Sequence, residues 1–98
     1  MDLNAVTKSL RERVGSDSGL GTTLKFDMGS EGVVMIDGAS TPNAVTNDDG
    51  EAACTIGLTL DTLSRMILRE LEPTTAFMMG KLKVSGDMSV AMRLQHLL

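Results

Sequence analysis

In the segment LTLDTLSRMILRELEPTTAFMMGKLKVSGDM, residues 58–88, the spacing of the apolar residues changes twice. These changes predict where helices and a strand begin and end. The first part of the segment repeats apolar residues at three- and four-residue steps, which is the spacing of one face of a helix. These residues are Leu60, Leu63, Met66, Ile67 and Leu71. Thr59 can cap this helix, and Asp61 in its first turn suits the positive end of the helix dipole. The pattern therefore predicts an amphipathic helix over residues 60–71.

The second part of the segment predicts a short helix, a strand and the start of another helix. Pro73 fits the first turn of a helix, and Gly80 fits its end. Leu82 and Val84 then alternate with polar residues, as on a half-buried strand. Asp87 can cap a helix that runs toward the end of the sequence.

The first half of the chain predicts one helix followed by four strands. Asp2 can cap a helix over residues 3–14, and Gly15 can end it. Period-two alternation or short apolar runs then mark the strands. They cover residues 23–28, 33–36, 43–46 and 52–58. Because residues 47–50, Asn-Asp-Asp-Gly, favour tight turns, we predict that the last two of these strands form a hairpin.

These elements predict an α+β fold built as two layers. Strands that follow one another through short turns favour an antiparallel sheet, and the later helices must cover one of its faces. A chain of 98 residues can bury one core, so we expect a single domain over residues 1–98.

Charge and composition exclude several classes of function. Nine basic and thirteen acidic residues give a net charge of −4 without a basic stripe, which argues against nucleic-acid binding. A single cysteine, Cys54, excludes an internal disulfide and favours a reducing compartment. No apolar run reaches the ~20 residues of a membrane span or resembles a signal peptide. We therefore predict a cytoplasmic protein.

Few residues offer catalytic or metal-binding chemistry. Cys54 lies in a predicted strand, where cysteine is usually a small buried residue, and His96 lies two residues before the last residue of the sequence. Residues 47–51 carry oxygen ligands but lack the spacing of a calcium loop. We therefore predict no enzyme activity, no catalytic residues, no metal site and no cofactor.

Methionine is frequent, with eight in 98 residues, and it concentrates in the last third of the chain. The soft apolar residues there are Met66, Phe77, Met78, Met79, Met88 and Met92. Methionine often fills a core, but a layer of flexible unbranched side chains can also part to admit an apolar ligand. The pattern by itself leaves three alternatives open: a packed core, a docking surface and a ligand cavity.

Residues 58–98 resemble the C-terminal half of the sterol carrier protein type lipid-binding domain. That family's pattern joins an acidic-leucine helix, a proline, an Ala-Phe pair, Gly-Lys-Leu-Lys, Gly-Asp and a closing helix that carries Ala and Leu. The matching residues here are Asp61, Leu63, Pro73, Ala76, Phe77, residues 80–83, Gly86, Asp87, Ala91 and Leu94. Residues 42–44 and Asp48 also fit the family, so the likeness covers nearly the whole chain.

The resemblance implies a five-stranded, mainly antiparallel sheet covered by helices, with an apolar tunnel between the two layers. By that analogy the residues along the tunnel are Phe26, Val34, Ile36, Met66, Ile67, Phe77, Met78, Leu82, Val84, Met88 and Met92. Lys81 and Lys83 are candidate contacts for a carboxylate or phosphate head group. Residues 77–88 would then form the lid and one wall of the tunnel.

From this resemblance we predict a non-enzymatic protein that binds or carries a fatty acyl lipid, with a fatty acid, acyl-CoA, phospholipid or sterol as ligand. The alternative is a protein–protein interaction or dimerisation module that uses the same methionine-rich surface. Contact with a membrane surface would be transient, and the protein would be a monomer or a homodimer. Because the sequence ends at Leu98 without the longer C-terminal segment of eukaryotic relatives, we expect a stand-alone bacterial member of the family.

Overall fold

The chain folds into helices packed against a mixed β-sheet. The computed structural model describes residues 1–15, 19–40 and 42–98, apart from the side chains of residues 94–96. The helices are α1 (Leu3–Val14), α2 (Leu60–Ile67), α3 (Pro73–Met78) and α4 (Met88–Leu97). The strands are β1 (Thr23–Asp27), β2 (Val33–Asp37), β3 (Ala44–Thr46), β4 (Cys54–Gly57) and β5 (Lys83–Gly86). A short 3-10 turn at Gly29–Glu31 joins β1 to β2.

The five strands form one sheet in the order β3-β2-β1-β4-β5. The pairs β1–β2, β2–β3 and β4–β5 are antiparallel, and β1 and β4 are parallel. The structure therefore confirms the predicted α+β class and the mainly antiparallel sheet of five strands.

The predicted hairpin of the third and fourth strands is wrong. β3 pairs with β2, whereas β4 lies on the other side of the sheet, next to β1. The connection, residues 47–53, instead crosses the outer face of the sheet. There Lys25 Nζ lies 2.9 Å from Asp49 Oδ1 and 2.9 Å from the Gly50 carbonyl oxygen. These long-range contacts decide the path of the segment, and its turn-prone composition does not.

One face of the sheet forms the core against the helices. Residues in register across neighbouring strands share a face, and Phe26 on the central strand β1 pairs with Val34 on β2 and Ile56 on β4. All three are at most 1% exposed. Other fully buried residues of this core are Val6, Leu10, Leu24, Ile36, Leu63 and Met66. The alternation of buried residues along β1 follows the period-two pattern of its sequence.

The helices cover the sheet in two groups. α1 packs on β3 and on α2, whereas α4 packs on β4, β5 and α3. Arg11 Nε donates to the Val45 carbonyl oxygen at 3.0 Å, which ties α1 to the edge strand β3. Arg13 donates to the Ile67 carbonyl oxygen and ties α1 to the end of α2. Hydrogen bonds from side chain to backbone therefore fasten the α1–α2 group.

The helix ends follow their capping residues. α1 has the predicted bounds, and the Asp2 side chain caps it. Thr59 caps α2 as predicted, but α2 ends at Ile67 and not at Leu71, because Arg69 takes a left-handed conformation with φ 61°. Leu71 lies beyond the end of α2 but still packs against the core. Its partial burial explains why an apolar residue continues the helical spacing of α2. Over the ranges that the structure describes, none of the helices has the length and apolar character needed to cross a bilayer.

Gly86 in β5 is a position that does not accommodate a side chain. Its φ is 96°, in the left-handed region, and a Cβ there would collide with the Ala53 carbonyl oxygen. We predict that Gly86→Ala lowers the free energy of unfolding by about 3 kcal/mol, measured by urea denaturation. Gly29→Ala is the control, since Gly29 has φ 61° but open space around it, and this variant should lose about 1 kcal/mol. Equal losses in the two variants would contradict the steric argument.

Candidate functional site

An apolar groove opens between the α3–α4 group and the β4–β5 edge of the sheet. Ile56 on β4 and Val84 on β5 are paired across the two strands and form its floor. The rest of the lining comes from Pro73, Thr74, Phe77, Leu82, Met88, Ala91 and Met92. The groove has a volume of about 140 Å³. Because Thr74 brings the one polar side chain among these described lining residues, the groove suits an apolar ligand.

α3 forms one wall of the groove. One of its faces is buried against the core, and an adjacent face lines the groove. Ala76 is fully buried and packs the helix against the core. Pro73 in the first turn and Phe77 one turn later line the groove. Gly80 follows with φ 74°, and the Lys81 N–H donates to the Ala76 carbonyl oxygen at 2.9 Å. This turn ends α3 and leads the chain into β5.

α4 forms another wall in the same way. Met88, Ala91 and Met92 follow one another at helical spacing and line the groove. Val90, between them, is 1% exposed and packs in the core. One face of α4 therefore holds the helix on the sheet, and the adjacent face lines the groove.

Asp87 caps α4 and thereby positions this wall. Its Oδ1 accepts the Ser89 N–H at 2.9 Å and the Ser89 hydroxyl at 2.7 Å. The hydroxyl first, and then the backbone N–H of Ser89, hold the pKa of Asp87 below its ordinary value. The folded protein therefore favours the charged carboxylate at the start of α4.

The lowered pKa makes the stabilisation by Asp87 depend on pH. The stabilisation is complete above the unfolded-state pKa of about 3.9 and is lost as the pH falls through the lower folded-state pKa. We predict that Asp87→Asn is less stable than the wild type near neutral pH but equally stable in strong acid. Thermal melts followed by circular dichroism measure this difference, and Ser89→Ala should reproduce part of it. A difference that stays constant with pH would rule out a role for the charge.

Exposed apolar side chains lie on the groove and at the end of α3, where two methionines directly follow the groove residue Phe77. We call this surface the methionine rim and define it as Phe77, Met78, Met79, Met88 and Met92. Their exposed fractions range from 49% to 81%. In the described part of the chain the other exposed large apolar side chains are Met1 and Leu68. Phe77, Met88 and Met92 also line the groove, so these three side chains belong to both the rim and the groove.

The structure brings five of the predicted tunnel residues together in the groove. They are Phe77, Leu82, Val84, Met88 and Met92. Five others lie in the packed core outside the groove and are at most 5% exposed: Phe26, Val34, Ile36, Met66 and Ile67. Met78 is 81% exposed on the methionine rim. Ligand binding by these residues, and a tunnel that passes between the layers, remain predictions.

The sequence pattern missed four residues of the groove lining. They are Ile56, Pro73, Thr74 and Ala91. Alternation along β4 marks Ile56 as inward-facing, and helical spacing relates Pro73 and Ala91 to lining residues that were predicted. The missing information was the pairing of β4 with β5, because it decides which inward-facing residues meet.

Lys81 and Lys83 line a second cleft and are not among the residues that line the groove. Neighbouring residues of a strand point to opposite faces, so Lys83 projects from the face of the sheet opposite Val84, where its Cβ approaches Gly57. Both lysines are exposed. A role for them in contacting the head group of a bound ligand remains a prediction.

The structure makes Cys54 a poor nucleophile. Its side chain is fully buried on β4. Burial, and then the negative charge of Asp87, raises the pKa of the thiol, against a weaker hydrogen bond with the backbone of Ala91. The side chain of His96 lies outside the described residues. Among the residues that are described, no three His, Cys, Asp or Glu side chains form a group that could hold a metal ion.

Burial and a raised pKa predict slow chemical modification of Cys54. The thiol needs to become a thiolate and reach solvent before it reacts, and the fold opposes both steps. We expect Ellman's reagent to react slowly with the native protein and fast with the protein in concentrated urea. Fast reaction of the native protein at neutral pH would contradict the burial and the raised pKa of Cys54.

The family comparison covers most of the chain. The model of the SCP-2 sterol transfer family matches residues 6–98. Over 70 residues the chain is 39% identical to "Sterol carrier protein 2" of Gallus gallus, which is 70% of this chain and 13% of that protein. The chain therefore spans a small part of this relative.

The fold is also similar to solved structures. The crystal structure of Sterol Carrier Protein 2 Like 2 from Aedes aegypti matches with a TM-score of 0.80 at 15% sequence identity, covering 98% of this chain and 95% of that one. The solution structure of palmitated SCP2L2 from Aedes aegypti matches with a TM-score of 0.76 at 18% identity, covering 99% of this chain and 94% of that one. At these identities the likeness shows a shared fold.

Proposed function

The chain belongs to the SCP-2 sterol transfer family, and we propose on that basis that it is a non-enzymatic carrier of a fatty acyl lipid. Membership of the family supports lipid binding or transfer in general. We propose further that residues 1–98 form one lipid-binding domain and that the acyl chain lies in the groove beside α3 and α4.

The apolar lining of the groove is the observation that carries this proposal. Ile56, Leu82 and Val84 offer an aliphatic floor, and the methionine rim extends this surface beyond the mouth. Removing each methylene of an acyl chain from water contributes about 0.8 kcal/mol. A chain of many carbons therefore gains enough free energy to exceed the entropy cost of association.

The size of the groove implies that its walls move on loading. Its volume of about 140 Å³ is close to that of an engineered cavity of about 150 Å³ that holds one benzene molecule. Pockets for larger ligands measure roughly 300–1,000 Å³. Met88 and Met92 at the mouth are 49% and 67% exposed, and such unbranched side chains can turn aside and repack over a longer chain.

The composition of the groove favours a flexible acyl chain over a rigid sterol. The chain has two phenylalanines and no tyrosine or tryptophan. Phe26 is fully buried in the core, so Phe77 provides the aromatic surface in the groove. One aromatic ring offers little surface for stacking on fused rings. The palmitated relative supports an acyl ligand in the same fold.

Cys54 bears both on catalysis and on the location of the protein in the cell. The raised pKa and full burial of Cys54 argue against this thiol as a catalytic nucleophile, and we propose that the protein acts without catalysis or a cofactor. The single cysteine, Cys54, is free and buried, and a chain without disulfides supports a cytoplasmic location. We propose transient contact with a membrane for lipid exchange, and we do not favour an interaction module in place of lipid binding.

The direct test is native mass spectrometry of the protein purified under mild conditions, followed by extraction of any co-purified small molecule. We expect an added mass that is identified as a fatty acid or a phospholipid, and uptake of a fluorescent fatty acid by delipidated protein. A ligand-free protein that also refuses the fluorescent fatty acid would overturn the proposed function.

A substitution that fills the groove should weaken ligand binding without unfolding the protein. Ala91 lines the groove and is partly exposed, so the ring of Ala91→Phe can occupy the space of the acyl chain. We expect its affinity for a fluorescent fatty acid to fall about tenfold or more. Ala39→Phe is the control, because Ala39 is exposed outside the groove lining. Equal affinities of the two variants would place the ligand elsewhere.

A further inference from the structure

The eight methionines of the chain fall into two classes by their exposure. Three are buried in the fold, and the exposed fractions of the other five range from 42% to 81%. The buried ones are Met28, Met35 and Met66, and the exposed ones are Met1, Met78, Met79, Met88 and Met92. Because a thioether is oxidised where a dissolved oxidant reaches its sulfur, the fold protects the first class and leaves the second class open to oxidation.

Two of the exposed methionines lie in the wall of the groove. Met88 and Met92 on α4 are among its lining residues, whereas Met1, Met78 and Met79 are not. A separation of four residues places both side chains on one face of the helix. Met88 is 49% exposed and Met92 is 67% exposed, so an oxidant in solvent can reach each of them at the edge of the space for the ligand.

The single thiol of the chain does not compete with these methionines for an oxidant. A thiol is ordinarily oxidised through its thiolate, at a rate that depends on exposure. Cys54 is fully buried, and burial raises the pKa of its thiol. The thiolate is therefore scarce and shielded from solvent. Among the described lining residues, the accessible sulfur atoms are those of Met88 and Met92.

We propose that Met88 and Met92 are sites of reversible oxidation by a hydroperoxide and that their oxidation lowers the affinity of the groove for an acyl chain. The sulfur attacks one oxygen of hydrogen peroxide, the O–O bond breaks, and that oxygen remains on the sulfur as a sulfoxide. Its hydrogen passes to the other oxygen, which leaves as water. The sulfur loses two electrons and the peroxide gains them. The effect on affinity rests on the proposed function, whereas the oxidation itself is a separate measurement.

A sulfoxide changes the character of the groove wall. It replaces an apolar thioether with a polar group that accepts hydrogen bonds. Thr74 brings the one polar side chain among the described lining residues, so the sulfoxide oxygens depend on water for most of their hydrogen bonds. An acyl chain that packs on the wall displaces this water, and burying a polar group without a partner costs free energy. Oxidation therefore weakens binding of an apolar ligand.

The oxidation is reversible because α4 keeps its place in the fold. Val90 and Leu97 pack α4 in the core and are 1% and 7% exposed, whereas Met88 and Met92 are at the surface. A sulfoxide at Met66, which is 1% exposed, would instead disrupt the core. A thiol-dependent reductase can therefore act on the exposed sulfoxides of the folded protein. Two thiols become a disulfide, and the oxygen leaves as water.

Treatment of the delipidated protein with hydrogen peroxide tests the inference. We expect peptide mass spectrometry to find an added oxygen atom at Met88 and at Met92, and none at Met66 while the protein remains folded. The affinity for a fluorescent fatty acid should then fall about tenfold. Methionine sulfoxide reductases A and B, which act on the different sulfoxide epimers, should restore the affinity. Circular dichroism melts verify that the oxidised protein is folded.

Matched variants assign the effect to the groove wall. Met88→Leu/Met92→Leu removes both sulfur atoms and keeps apolar side chains of similar volume. The affinity of this variant after peroxide treatment should equal its own affinity before treatment. Met78→Leu/Met79→Leu removes as many sulfur atoms from exposed positions outside the lining, and this variant should still lose about tenfold in affinity on oxidation.

The outcomes distinguish this inference from the proposed function. Full oxidation of Met88 and Met92 that leaves the fatty-acid affinity unchanged would overturn the inference and leave the proposed function intact. Oxidation of the two as slow as that of Met66, unfolding of the oxidised protein, or a loss of affinity that persists in Met88→Leu/Met92→Leu would have the same meaning. Refusal of the fatty acid by the untreated protein would overturn the proposed function, and oxidation would then have no affinity to lower.

Discussion

The parallel pairing of β4 with β1 is the interaction on which the rest of the structure depends. It sets Ile56 beside Phe26 in the core and leaves the other edge of β4 free for β5, which brings Val84 next to Ile56. The floor of the groove is this pair of residues. A parallel neighbour needs a crossing connection, and residues 47–53 cross the outer face of the sheet, where the contacts of Lys25 stabilise the path.

The two groups of helices differ in their contacts: α1 and α2 are fastened by side-chain hydrogen bonds, whereas α3 and α4 border the groove. Arg11 fastens α1 to β3, and Arg13 fastens it to α2. α3 reaches the core through Ala76, and α4 does so through Val90 and Leu97, while Phe77, Met88 and Met92 on the adjacent faces are exposed. The groove lies between these exposed faces and the β4–β5 pair.

Methionine serves two purposes in this fold. Met66 is 1% exposed and fills the core under α2, whereas Met78 is 81% exposed on the methionine rim. The same flexibility suits both places, because an unbranched side chain adapts to an irregular core and also to a fluid apolar partner.

Local pattern in the sequence determined the helices, the strands and the alternation that turns Phe26 and Ile56 inward, because capping, helical spacing and period two act over a few residues. It also carried the family resemblance, which implied five of the residues that line the groove. Tertiary structure decided the partner of β4, the early end of α2 at Arg69, and which buried residues line the groove. These depend on contacts between distant segments, as between Lys25 and Asp49, and no local pattern contains them.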